Sequence, residues 1–172
     1  MPEEIYISNA IPHYYIPNIV ICNFHEPAYA RSSGESAAVS LFQELSRLNF
    51  KANLILNNAP LPNDPEMQLQ FIRKNKYDII VTGQVIAYLD GGISTSSRVE
   101  ENLTLYSIAG NRLQLIGSAT ALETAPSVKT TDYILIQGRG QAALSADILL
   151  KRNSQKFARL IDSMLSDNYP ER

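Results

Sequence analysis

Tyr77–Ile93, YDIIVTGQVIAYLDGGI, is the stretch that decides how this chain is built. Its first half is an apolar, β-branched run of the kind that lies covered on both faces of a sheet. Its end, Asp90-Gly91-Gly92, has turn chemistry: glycine accepts positive φ, aspartate closes a turn with its own side chain, and a second strand is expected to return from it. A strand that enters buried and leaves by a hairpin belongs at the middle of a mixed sheet.

Working outward, Asn18–Phe24 (NIVICNF) is a second short apolar run, bounded by Pro17 and Pro27, and reads as a central strand. A loop, HEPAYARSSGES, follows. Ser33 or Ser36 is placed to cap a helix carrying Val39, Leu41, Phe42, Leu45 and Leu48 on one face. Phe50–Leu56 is the next strand, expected to stop at Asn57-Asn58 before Pro60 and Pro62. Asn63 or Asp64 then begins a helix with Pro65 in its first turn and the basic end Arg73-Lys74-Asn75-Lys76, which suits the negative pole of a helix better than a nucleic-acid patch.

Two strand–helix units in succession imply right-handed crossovers and three parallel strands. The second half changes style. Residues 95–108 alternate through Val99, Leu103 and Leu105, Ala109-Gly110-Asn111 turns the chain, and Leu113–Leu122 returns. A long connection, Ala125–Gln141, leads to an amphipathic closing helix with Ile148, Leu149, Phe157, Leu160, Ile161, Met164 and Leu165 inward and Lys151, Arg152 and Lys156 outward. The order β-α-β-α-β-β-β-α predicts a single-domain α/β fold: a mixed five-stranded sheet in the order 2-1-3-4-5 with helices packed on it. The expected divisions are an extended lead-in at 1–17, the domain at 18–166 and a frayed tail at 167–172.

The bulk numbers exclude several classes. At 172 residues the chain builds one sizeable core, and with 45% hydrophobic residues, 19% charged residues and a net charge of −2 it is neither charge-disordered nor a broad nucleic-acid binder. No apolar run reaches the ~20 residues of a membrane span. The one cysteine, Cys22, sits in the apolar run Ile19–Cys22, where it acts as a small hydrophobe.

Catalytic chemistry is poorly supplied. The only histidines are His13 and His25. His25, with Glu26 beside it, follows a parallel strand at the carboxyl edge where α/β sheets place ligands, but no G-x-S-x-G elbow accompanies it. Two histidines twelve apart and a buried cysteine make no zinc pattern, so neither metal nor cofactor is expected. Gly138-Arg139-Gly140 lacks the rest of a phosphate-binding loop. Tyr14 and Tyr15 lack the basic neighbours that nucleic-acid binding requires.

The words Tyr77-Asp78, Thr82-Gly83-Gln84-Val85, Leu89-Asp90-Gly91-Gly92, Ser97-Arg98-Val99 and Ala109-Gly110-Asn111, in this order of elements, resemble bacterial envelope lipoproteins with a TolB N-terminal-like domain, the group of CsgG, LpoB and PelC. The likeness spans 18–165 in topology and 77–120 in wording. It implies a non-enzymatic, periplasm-facing, outer-membrane-associated accessory of an export or envelope machine. Its partners would be other envelope proteins or copies of itself, with the signal and lipidated cysteine upstream of Met1. Two exposed elements are the candidate contact sites: Asp90, Gly91 and Gly92 with Arg98 on the following strand, and the apolar run Tyr133, Ile134, Leu135 and Ile136 in the long connection. The competing expectation is a small-molecule-binding or hydrolytic α/β protein using the edge around His25, Glu26 and Asp90. A cytoplasmic structural domain is the third.

Overall fold

The computed structural model describes residues 5–7, 16–48, 51–92, 95–127 and 142–168. Strands β1 (Ile5–Ile7), β2 (Asn18–Asn23), β3 (Asn53–Pro60), β4 (Ile79–Leu89), β5 (Ser97–Ala109) and β6 (Arg112–Ala125) form one mixed sheet in the order β1-β6-β5-β4-β2-β3. The helices are α1 (Ser33–Arg47), α2 (Pro65–Lys74) and α3 (Ala146–Asn168). Without β1 the order is the expected one: β2 lies parallel between β3 and β4, and β4, β5 and β6 form an antiparallel meander. The addition comes from the lead-in, whose Ile5–Ile7 pairs antiparallel with Gly117–Ala119 at the β6 edge.

Burial explains why β2 and β4 are central. Ile19 and Ile21 of β2, with Ile79, Val81 and Val85 of β4, face a core shared with α1 and α3. Val20, Cys22 and Ile80 face the other way, into a smaller cluster with Leu61, Phe71 and Ile72 around α2. Both faces of these strands are covered, as continuous apolar runs require. Asp78, the acid of the Tyr77-Asp78 pair, aligns them: its carboxylate accepts from the Asn18 N–H at 2.7 Å, and its own N–H donates to the Asn18 carbonyl at 2.9 Å.

Three local readings change. β3 runs through Asn57 and Asn58 to Pro60, because an edge strand can hold a proline without breaking a ladder, and the register with β2 shifts between Cys22 and Asn23. Asp64 caps α2 as expected, accepting from the Met67 N–H at 3.0 Å. Neither Ser33 nor Ser36 caps α1. Ser32 holds the cap position in a left-handed conformation, φ 67°, without a side-chain hydrogen bond, and the Glu26 carboxylate reaches in to accept from the Gly34 N–H at 2.9 Å. On α3, Ile148 is exposed while Leu150 is buried, because the inward stripe runs through Ala146, Leu149, Leu150, Asn153, Phe157 and Ile161 and passes residue 148 by.

The hairpin between β5 and β6 has a two-residue turn, Gly110-Asn111, with Ala109 opposite Arg112. Positive φ falls on Gly110 alone, +64°, as in a type II′ turn.

One close approach sets the seat of α1. A Cβ on Gly34 would collide with the Phe24 carbonyl oxygen, and one on Gly83 would lie 2.6 Å from the Phe24 ring and collide with the Asn102 carbonyl. Phe24 is thus clamped between the first turn of a helix and the middle of a strand. Gly34→Ala gains about 1 kcal/mol of helix propensity, yet it is expected to lower unfolding stability by about 2 kcal/mol or more, because backbone has to move. Urea denaturation of the two proteins checks this; a stabilised variant would contradict the geometry.

Candidate functional site

Three connections meet at one end of the sheet: Phe24–Ser32 after β2, Asp90-Gly91-Gly92 after β4, and residues 142–145 leading into α3, which bond to the β4 end. His25 extends the sheet by one bridge. Its N–H donates to the Gly83 carbonyl at 2.9 Å, its carbonyl accepts from the Val85 N–H at 2.8 Å, and it stands opposite Gln84. Beside it, Glu26 is occupied by the α1 cap.

Asp90 does for α3 what Glu26 does for α1. Its Oδ1 accepts from the Ala146 N–H at 2.9 Å, across 56 positions of sequence, and places a carboxylate on the positive end of the longest helix. The glycines after it complete the device. The Gly91 N–H donates to Ser97 Oγ at 2.9 Å, the Gly92 carbonyl accepts from the Ala143 N–H at 3.2 Å, and a Cβ on Gly91 would come within 2.5 Å of Thr95 and Ser96 backbone. Arg98 is not drawn into this loop. It lies on the sheet face opposite to Val99 and pairs with Glu100 at 2.6 Å. Tyr133, Ile134, Leu135 and Ile136 lie outside the described residues.

A second connection ties the same end together. Tyr88 donates its hydroxyl to Asp147 Oδ1 at 2.5 Å, and the Tyr88 N–H reaches the Tyr29 hydroxyl oxygen at 3.3 Å. Burial, followed by the hydrogen bond and the charge of Asp147, raises the Tyr88 phenol above its ordinary value, so it remains a donor. Tyr29, which accepts from the Tyr88 N–H, and Ile148, next to Asp147 in the chain, are both exposed at this end. Burial likewise pushes the Cys22 thiol up to about 11, the state of a structural hydrophobe.

One titratable residue went unread in the sequence. Glu101 is 1% exposed on the face of β5 that α3 covers, and Asn153 of α3 donates to it at 2.9 Å. The signal was there: residue 101 falls on the inward side of the alternation Val99, Leu103, Leu105, where an acid is out of place. Among the described residues no cluster of histidine, cysteine and carboxylate side chains is arranged to hold a metal, and no helix is long and apolar enough to cross a membrane.

No protein-family model matches the chain, and no curated protein sequence does. Solved structures do match. The PelC dodecamer from Paraburkholderia phytofirmans aligns over 99% of this chain and 99% of that one, at a TM-score of 0.60 and 14% identity. A variant of the same dodecamer aligns over 95% and 98%, at 0.57 and 12%. A hypothetical protein from Chlamydia trachomatis aligns over 88% and 99%, at 0.52 and 12%. PelC, named among the proteins that the sequence wording resembles, is therefore among those that share this fold.

The loop geometry predicts a graded response at Asp90. Asp90→Ala removes the α3 cap and is expected to cost about 1 kcal/mol, whereas Asp90→Asn keeps an acceptor at the same place and loses less. Chemical denaturation of both variants checks the order; equal losses would mean that the carboxylate charge, not the hydrogen bond, holds the helix.

Proposed function

We propose that this chain is a non-enzymatic accessory protein of a bacterial export or envelope-assembly machine, acting by protein–protein contact and by assembly with copies of itself. The observation that carries the reading is the end-to-end likeness to PelC, whose solved form is a dodecamer. Exopolysaccharide export is the machine that this likeness favours. In this reading the chain faces the periplasm at the outer membrane, held by a lipidated cysteine upstream of Met1, in the manner of TolB-like envelope lipoproteins.

The chemistry of the strand-end edge supports the same side. Glu26 and Asp90, the acids that a hydrolytic site there would draw on, each hold the first turn of a helix. Near that edge Tyr29 and Ile148 are exposed, the first bonded to the Tyr88 N–H and the second beside Asp147 in the chain. Contacts with a neighbouring copy or an envelope partner would use Tyr29 and Ile148 together with the Asp90-Gly91-Gly92 loop, Arg98 and the run Tyr133–Ile136.

Light scattering on the purified chain across a concentration series tests the assembly. A discrete oligomer of many copies is expected, and Ile148→Asp, whose side chain is exposed in the single chain, should shift it toward the monomer without unfolding. A monomer at every concentration overturns self-assembly.

A further inference from the structure

Glu101 and Asn153 meet where α3 crosses the sheet. Val85 of β4 and Ala121 of β6 stand directly opposite Glu101, and Val99 and Leu103 flank it on β5, all of them in the core. Asn153, 0% exposed, donates Nδ2 to Glu101 Oε2 at 2.9 Å and to the Val99 carbonyl at 3.3 Å. The other end of the amide, Oδ1, is buried with no hydrogen-bond partner. A buried acceptor left bare is costly, and an ionised carboxylate cannot help it, having no proton to give. A carboxylic acid can: one of its oxygens accepts from Nδ2 while its O–H donates to Oδ1, and the acid–amide pair closes with both groups satisfied.

The charges around the pair are committed elsewhere. On α3, Arg152 and Lys156 lie 3.7 and 3.2 Å from the Glu123 carboxylate of β6. Asp147, also on α3, accepts from Tyr88 of β4, and Asp90 at the end of β4 caps Ala146; both add negative charge near Tyr88, as Glu101 does. Arg98 and Glu100 of β5 pair with each other. From α1, packed beside α3, the inward residues are Ala37, Ala38, Leu41 and Leu45, while Glu44 is bonded to Arg47 of its own helix and Glu35 is exposed.

We propose that Glu101 and Asn153 are a proton-operated latch between the sheet and α3: a proton on Glu101 seats the helix, and release of that proton to solvent leaves the buried Asn153 carbonyl oxygen without a donor beside a buried charge and loosens it. The latch stands apart from the proposed export role. Burial raises the Glu101 carboxyl to about 7, against the lowering effect of the Asn153 hydrogen bond, which puts the transition near neutrality. The folded chain holds the proton more tightly than the unfolded chain, whose glutamate titrates near 4.5. The added stability is therefore complete below about 4.5, declines as pH rises, and is gone once pH has passed about 7.

Hydrogen exchange of the full chain, corrected for intrinsic rates and compared between pH 5 and pH 8.5, reads the latch directly. Amides of α3 are expected to open up to about 10²-fold more readily at the higher pH, and the melting temperature to fall by roughly 5–10 °C. Glu101→Gln keeps a neutral donor and acceptor at every pH and should abolish the difference. An α3 whose protection ignores pH, or a Glu101→Gln protein that retains the full response, overturns the proposal. Should the variant fail to fold, the carbon-13 carboxyl resonance of Glu101 in the unaltered chain decides the matter: a midpoint near 7 supports the latch, and one below 5 refutes it.

Discussion

The placement of Phe24 is the constraint on which the molecule turns. Its ring lies over Gly83 in the middle of β4, and its carbonyl lies against Gly34 in the first turn of α1. Both approaches are possible only because neither neighbour has a Cβ. They fix how far the chain travels after β2 before it turns into the helix, and how closely that helix comes down on the strands. Once α1 is seated, α3 has one place to lie: beside α1, over β5 and β6, where Leu149, Phe157, Ile161 and Leu165 complete the shared core.

Two acids make the helix starts work at this end of the sheet. Glu26 reaches eight residues forward and Asp90 reaches across the sheet to a helix far downstream. The loops at the strand ends thus act as brackets for the helical layer, with the Tyr88–Asp147 bond as a further brace. A scaffold held so firmly at the edge presents its side chains as a fixed surface, which suits recognition by a partner better than chemistry that needs groups free to exchange protons.

Much of this was legible from one chain of letters. Asn18–Phe24 and Tyr77–Tyr88 read as buried parallel strands because their apolar runs leave no polar face, and the Gly110-Asn111 turn fixed the direction of the meander. The strand at Ile5–Ile7 was not legible, since three residues among prolines and tyrosines carry no periodicity and the pairing is entirely tertiary. The cap of α1 was misread for a related reason: serines stand at the right place, but a carboxylate from the preceding loop outcompetes a hydroxyl for the positive end of a helix. Of the site, Asp90-Gly91-Gly92 was correctly located as a turn, whereas its bond to Ala146 depends on a fold that spacing alone does not reveal. Glu101 could have been found by counting alternate residues from Val99.

The same pairing of Ile5–Ile7 with Gly117–Ala119 bears on how the chain reaches its final form. The outermost strand finds its partner more than a hundred positions further along the chain. All other ladders join elements closer in sequence, so they can be in place before this edge closes. Contacts of such long range carry a large loop-closure cost and slow the approach to the native state. Late closure is therefore expected at this margin, where β6 offers an open edge until Ile5–Ile7 pairs with it.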